Sequence, residues 1–263
     1  MARNLILTGG LFHPFEEASE TLAGLLAPHG ISSDITTDIA TGLSWLDDGG
    51  YDLLTVYGLR WPMREERFAN DRARWGVDLQ PADTARIEAH LAAGRGVLAL
   101  HTASISFSDW PRWREIVGAG WIWGHSNHPP HGPVDVRMTA LTHPITAGLP
   151  AFNFPEEAYA MQDYVPGIEA LATVQAPSQD RPWPSLWARE VGPARVAYDA
   201  LGHDSASFNH PTHSRIVQRC ALWALRRSDE EILRETEAHC RRDPSFMPMA
   251  QWQAGFSQIG SKH

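Results

Sequence analysis

Four histidines stand where the chain leaves a short apolar run or a turn. His13 follows Leu5-Ile6-Leu7-Thr8-Gly9-Gly10. His101 comes directly after Val97-Leu98-Ala99-Leu100. His125 lies in Trp121-Ile122-Trp123-Gly124-His125, and His203 in Ala200-Leu201-Gly202-His203-Asp204. Neutral imidazoles suit zinc and other transition metals, and a catalytic zinc typically takes three protein ligands plus water. Imidazole also titrates near neutral pH, which suits general acid–base catalysis. The spacing leaves both chemistries open, because HExxH and other close-spaced metal signatures are absent. Glu157 and Tyr159 in Glu156-Glu157-Ala158-Tyr159 are two residues apart, so on a strand they share one face and can bind hydroxyls or act as acid and base. A solvated acidic loop accounts for the same four residues equally well.

Ala99-x-His101-x-Ala103 has the spacing of a nucleophile elbow, in which a sharp strand-to-helix turn lifts one side chain above a sheet. Small neighbours are required because strand and helix backbones approach closely there. Histidine occupies the apex, and GxSxG and GxCxG are missing, so a serine or cysteine nucleophile at this turn is excluded. Gly9-Gly10 is too short for a phosphate loop and GxGxxG is absent, so no nucleotide cofactor is expected. Asn127-His128-Pro129-Pro130-His131 could extend a metal site but reads better as a proline-stiffened loop, His143-Pro144 reads as a turn and cap, and His210 and His213 as exposed residues at a helix start. Eleven tryptophans suggest sugar stacking, although core and interface packing is their commoner use. Trp61, Trp110 and Trp123, with Asp204, are the candidate sugar-binding residues.

The elements that must position these groups alternate through the first half of the chain. Strands are expected at Leu5–Thr8, Ser33–Thr37, Asp52–Tyr57 and Val97–Leu100. Helices are expected at 15–29, 41–46, 81–93 and 109–117. Phe15, Ala18, Leu22, Leu25 and Leu26 share a helical face, with Gly30 as the residue that ends the helix. This alternation predicts a doubly wound, mostly parallel, flavodoxin-like sheet with helices on both faces. In such a sheet ligands bind beyond the carboxyl ends of the strands, so His13, His101 and His203 are expected in one cleft with His125 near its rim. Residues 60–80 read as an insertion or lid bordering that cleft. From 120 to 200 short extended pieces dominate, followed by a strand at 195–199, a helix at 211–226 and a charged helix at 229–241. Residues 1–228 are read as one domain. Residues 229–263 are read as a helix and an extended, apolar-bearing tail that packs on the body or on a second subunit.

Composition narrows the function classes. The 263 residues are 43% hydrophobic and 20% charged, which is globular and large enough for a sizeable core. A net charge of −9 argues against a nucleic-acid or anionic-membrane surface. Cys220 and Cys240 form no disulfide framework. The first residues read directly into a strand without a signal-peptide core, and no apolar run reaches ~18 residues, so a cytoplasmic location is expected.

Taken in order, Gly9-Gly10 with His13, Gly96 to His101, Asp109-Trp110-Pro111, Gly124-His125, His143 to Leu149, Glu156 to Tyr159 and Ala200 to Asp204 resemble the ThuA-like (trehalose-utilisation) proteins. The resemblance spans about residues 5–226 and implies a class I glutamine amidotransferase-like fold. In those amidotransferases the elbow carries cysteine and a later strand end carries histidine. His101 takes the first position here and His203 the second, so thioester chemistry is unavailable. The resemblance further implies bacterial carbohydrate metabolism, with a sugar or 3-keto-glycoside processed by isomerisation, elimination or hydrolysis. His101, His203, Glu157 and Tyr159 are then the catalytic candidates. His13, His101, His125 and His203 are the candidate ligands of a divalent metal, zinc or another transition ion. A small-molecule carbohydrate partner and a homo-oligomer are expected. The rival expectation is a non-catalytic sugar-binding or regulatory protein on the same fold. Glu156 departs from the Asp of many relatives, and the tail after residue 228 has no obvious counterpart.

Overall fold

The computed structural model describes residues 1–242. The chain begins with β1 (Ala2–Gly9), α1 (Phe15–Leu26), β2 (Ile31–Thr36), α2 (Ile39–Ser44) and β3 (Leu53–Gly58). It continues through α3 (Ala69–Trp75), α4 (Pro81–Ala92), β4 (Gly96–Leu100) and α5 (Pro111–Val117). The middle is extended: β5 (Ala119–Gly120), β6 (Gly132–Met138), β7 (Phe152–Glu156), β8 (Asp163–Tyr164), β9 (Ala172–Gln175) and β10 (Trp183–Val191). Then come β11 (Ala194–Asp199), α6 (Ser205–Asn209), α7 (Pro211–Ala224) and α8 (Asp229–Arg242). The tail expected to pack on the body, 243–263, lies outside the described residues.

Local chemistry sets these elements. Phe15, Ala18, Leu22 and Leu26 form the buried stripe of α1, and Gly30 ends its last turn at φ 72°. Asp38 accepts from the Thr41 amide at 3.0 Å, so α2 starts at Ile39, earlier than the apolar spacing alone suggests. Pro81 opens α4, where Asp83 accepts from the Gln80 amide at 3.0 Å. In β4, Val97 to Leu100 are fully buried, as a strand covered on both faces requires.

The main sheet runs β2-β1-β3-β4-β11-β10-β9-β6-β7. Its first five strands are parallel, in the 2-1-3-4-5 order of doubly wound flavodoxin-like folds. The last four join antiparallel, which accounts for the run of short extended pieces after residue 120. Helices α1, α6 and α7 pack together on one side, and α2 packs with α4 on the other. Helix α8 docks on α7: Ile232 is buried, and Arg219 donates to the Thr236 hydroxyl at 3.1 Å.

Three expectations are corrected. Residues 60–80 are anchored rather than a free lid. Arg60, Trp61, Met63 and Phe68 are buried, and the Arg60 guanidinium donates to the carbonyls of Thr8, Thr37 and Trp75. His210 and His213 are buried, not exposed. His213 Nε2 lies 3.1 Å from Asp199, and His210 stacks on Phe152 with ring centroids 4.8 Å apart. Helix α6 was not anticipated, because its length gives no periodic signal and its start depends on the Asp204 cap.

Buried His90 on α4 donates from Nε2 to the Gly96 carbonyl at 2.9 Å, and burial lowers its pKa to about 4. The unfolded chain, with an ordinary value near 6.5, therefore takes up this proton first as pH falls. Stability from this site is complete above about pH 6.5 and is lost progressively towards pH 4, on the order of 2–3 kcal/mol. In urea titrations the wild type should lose that much more stability than His90→Gln between pH 7 and pH 4. Parallel losses would refute the assignment.

Candidate functional site

The elbow expected at His101 is present. His101 has φ 49°, a left-handed conformation uncommon for a non-glycine residue, and opens a 3-10 turn directly after β4. Ala99 and Ala103 are fully buried beside it. Across the cleft, Gly202 has φ 121°, and a Cβ there would lie 3.7 Å from the His101 Cβ and 3.0 Å from Phe208. The backbone conformation of Gly202, which side chains rarely adopt, and the tight approach of Phe208 therefore favour glycine there.

His13 follows β1, His101 follows β4 and His203 follows β11, so the sheet order brings all three to one edge. The His13 and His101 rings are 4.9 Å apart and the His13 and His203 rings 4.6 Å apart. Glu157, just past β7, completes the group. One ligand atom from each of His13, His101, Glu157 and His203 lies within 4.8 Å of the others. His125, expected among the ligands, is exposed and outside the group; the turn Ile122–Ser126 holds it at the surface.

Hydrogen bonds decide the tautomers. His101 Nδ1 lies 2.7 Å from the Ala200 carbonyl, and His13 Nδ1 lies 3.2 Å from that of Leu11. A carbonyl only accepts, so both Nδ1 atoms carry hydrogen. In the neutral rings each Nε2 then holds a bare lone pair, and these two atoms face each other at 3.0 Å. The Glu157 Oε2 lies 3.6 Å from His13 Nε2 and 3.5 Å from His101 Nε2. Among the described residues, Glu157 Oε2 and His203 Nδ1 are buried without a hydrogen-bond partner. Lone pairs on His13 Nε2, His101 Nε2 and Glu157 Oε2 thus converge, with His203 Nδ1 beside Glu157 Oε1 at 3.5 Å. Such a cluster requires positive charge, supplied either by a proton on an imidazole or by a metal ion.

The electrostatics agree in direction. Burial favours neutral His101, but the nearby carboxylates of Glu157 and Glu156 outweigh it and raise its pKa. Burial dominates at His13 and lowers it. Burial alone would raise Glu157, yet the surrounding imidazoles of His101, His13 and His203 hold its carboxyl far below the usual range.

Tyr159 is fully buried, with its hydroxyl 3.2 Å from His101 Nε2 and its ring stacked on the imidazole at 4.8 Å. Glu157 and Tyr159 therefore face one centre, as their spacing implies, and the acidic segment is buried rather than solvated. Its other carboxylate, Glu156, organises the site from behind. Glu156 Oε2 accepts from the amides of Gly202 at 2.8 Å and His203 at 3.1 Å and from the Ser207 hydroxyl at 2.7 Å. Its Oε1 accepts from the Glu157 amide at 2.8 Å.

His128 and His131, for which a loop was the favoured reading over an extension of the metal site, border the centre. His128 Nδ1 is 3.7 Å from Glu157 Oε1, and the His131 ring is 4.3 Å from that of His203. The signal was the pair of histidines in a proline-stiffened loop; what hid it was the distance in sequence from their neighbours. The candidate sugar-binding residues divide. Trp61 is 2% exposed and packs between Phe68 and Trp123, so it is a core residue. Trp123 is 43% exposed beside it. Trp110 lines a cavity of about 200 Å³ with Ser104 and Trp121, and Trp121 also touches Tyr159 with ring centroids 5.2 Å apart. Asp204 accepts from the Ser207 amide at 2.9 Å, which makes it the cap of α6.

The family model for trehalose utilisation, ThuA, matches residues 3–224. The chain belongs to the ThuA family. A ThuA-like protein from Parabacteroides merdae shares 19% identity at a TM-score of 0.65, covering 85% of this chain and 90% of its own. A second, from Bacteroides uniformis, shares 19% identity at 0.61, covering 85% and 91%. The β-galactosidase of Rahnella sp. R3 shares 15% identity at 0.53 over 86% of this chain, which corresponds to 31% of the galactosidase. No curated protein matches the sequence. The family match and these structures are consistent with an α/β, class I glutamine amidotransferase-like fold, and trehalose utilisation is the description of the family. No helix among the described residues is long and apolar enough to cross a membrane.

Proposed function

We propose that this ThuA-family protein is an enzyme acting on a sugar or 3-keto-glycoside through the centre formed by His13, His101, Glu157 and His203, with a divalent metal as its cofactor. The observation that carries this reading is the convergence of buried lone-pair donors, two of them without hydrogen-bond partners, at the carboxyl edge of the sheet. The donor set fits zinc or another transition ion: three imidazoles and one carboxylate, with the Nδ1–H groups of His13 and His101 anchored on backbone carbonyls as metal-bound histidines usually are. A bound divalent ion would supply Lewis-acid polarisation of a carbonyl oxygen.

The remaining residues suit proton transfer next to a carbonyl. A 3-keto group acidifies the proton at C2, and a base at the mouth of the site can remove it. His131, exposed and with its ring 4.3 Å from that of His203, is placed for that role. Tyr159 holds its phenol against His101, and burial raises its pKa well above the ordinary value, so it remains a neutral hydrogen-bond donor. The aromatic wall of Trp121 and Trp110 beside Tyr159 supports a sugar ring in the adjoining cavity.

Metal analysis of purified protein with and without chelator, together with a panel of 3-keto-glycosides, tests this reading. His101→Ala should lose metal and lower turnover by roughly 10²–10⁴-fold while keeping the fold. An unaffected rate would remove His101 from the mechanism. Sugar binding that persists without any turnover would favour a binding protein using the Trp110–Trp121 cavity.

A further inference from the structure

The two oxygens of Glu157 face different histidines. On one side Oε2 lies 3.6 Å from His13 Nε2 and 3.5 Å from His101 Nε2. On the other, Oε1 lies 3.5 Å from His203 Nδ1 and 3.7 Å from His128 Nδ1. Two ligand atoms of a tetrahedral zinc, each 2.0–2.1 Å from the ion, are about 3.3–3.4 Å apart. Both sides of the carboxylate therefore have separations close to a coordination edge. Five histidines and Glu157 surround the centre, more than the four positions of one tetrahedral ion. His131, whose ring is 4.3 Å from that of His203, lies on the Oε1 side.

We propose that the centre is dinuclear, with Glu157 bridging two divalent cations. The first is held by His13, His101 and Glu157 Oε2. The second is held by His203, His128 and Glu157 Oε1, with His131 beside it. Each ion then has three protein ligands and an open position, as catalytic zinc does. A bridging carboxylate sets two ions about 3.5–4 Å apart, the spacing of two-metal hydrolytic centres. His128 Nδ1 now lies 2.9 Å from the Pro129 carbonyl, and ligation replaces that hydrogen bond. The buried, unpartnered Nδ1 of His203 lies on the second side, 3.5 Å from Glu157 Oε1.

This inference rests on the metal-centre reading above, and stoichiometry separates the two. Equilibrium dialysis of the full chain against Zn²⁺ should give two ions per chain at saturation. The double variant His128→Ala/His131→Ala, checked for fold by circular dichroism, should give one. The His125→Ala control should still give two, because that residue lies outside the centre. The Mn²⁺-loaded wild type should show an exchange-coupled pair by electron paramagnetic resonance, lost in the double variant. One ion per chain in the wild type, two in the double variant, or uncoupled Mn²⁺ would overturn the dinuclear centre alone. No bound ion would overturn it together with the metal-centre reading.

Discussion

Glu157→Gln should abolish most metal binding and lower turnover by roughly 10²–10⁴-fold, with little change in global stability. Glu157 is the carboxylate within 3.7 Å of His13, His101, His128 and His203. The amide keeps its size but removes the charge. It also places an N–H where a lone pair is needed, so one face of the centre presents hydrogen to any cation. The pKa of His101 should fall as well, because burial opposes its charged form and Glu157 is its main support. Elemental analysis, turnover and imidazole titration by NMR check the three parts. Wild-type metal content and rate in this variant would place the chemistry elsewhere.

Glu156→Ala should destabilise the protein by about 3–5 kcal/mol, the range for breaking a buried charged network. Glu156 is fully buried, and its carboxylate accepts from three backbone amides and one hydroxyl. Removal leaves all four donors buried, at about 1–3 kcal/mol each before relaxation or water entry reduces the sum. Burial opposes this charge, but His101 and the hydrogen bonds from Ser207, Gly202 and Glu157 outweigh it and hold its pKa below the ordinary value. Its stabilising contribution is therefore present above the unfolded value and is lost as pH falls through the folded one. The same donors fix the backbone of Glu157 and His203, so activity should fall with stability. Glu156→Asp, one methylene shorter, should recover part of both. A urea midpoint for Glu156→Ala equal to wild type would refute this positioning role.

The parallel half of the fold, and the place of His101 within it, follow from local pattern. An apolar run of four buried residues, an alternation of strand and helix, and small residues around one histidine specify a strand–turn with that histidine at its apex. His13 and His203 are foreseeable for the same reason, since each follows a strand and doubly wound sheets gather ligands at those ends. The ligand set is not local. Glu157 reaches the centre from β7 at the far edge of the sheet, while His125 lies on a surface turn although its sequence context looks equally functional. Burial of polar groups is hidden for a related reason. His210 and His213 read as exposed, and Glu156 fits a solvated loop equally well, until Phe152, Asp199 and the Gly202–Ser207 turn meet them across the fold. A polar side chain is buried only when distant partners compensate its lost hydration, and such partners leave no periodic signal in the chain.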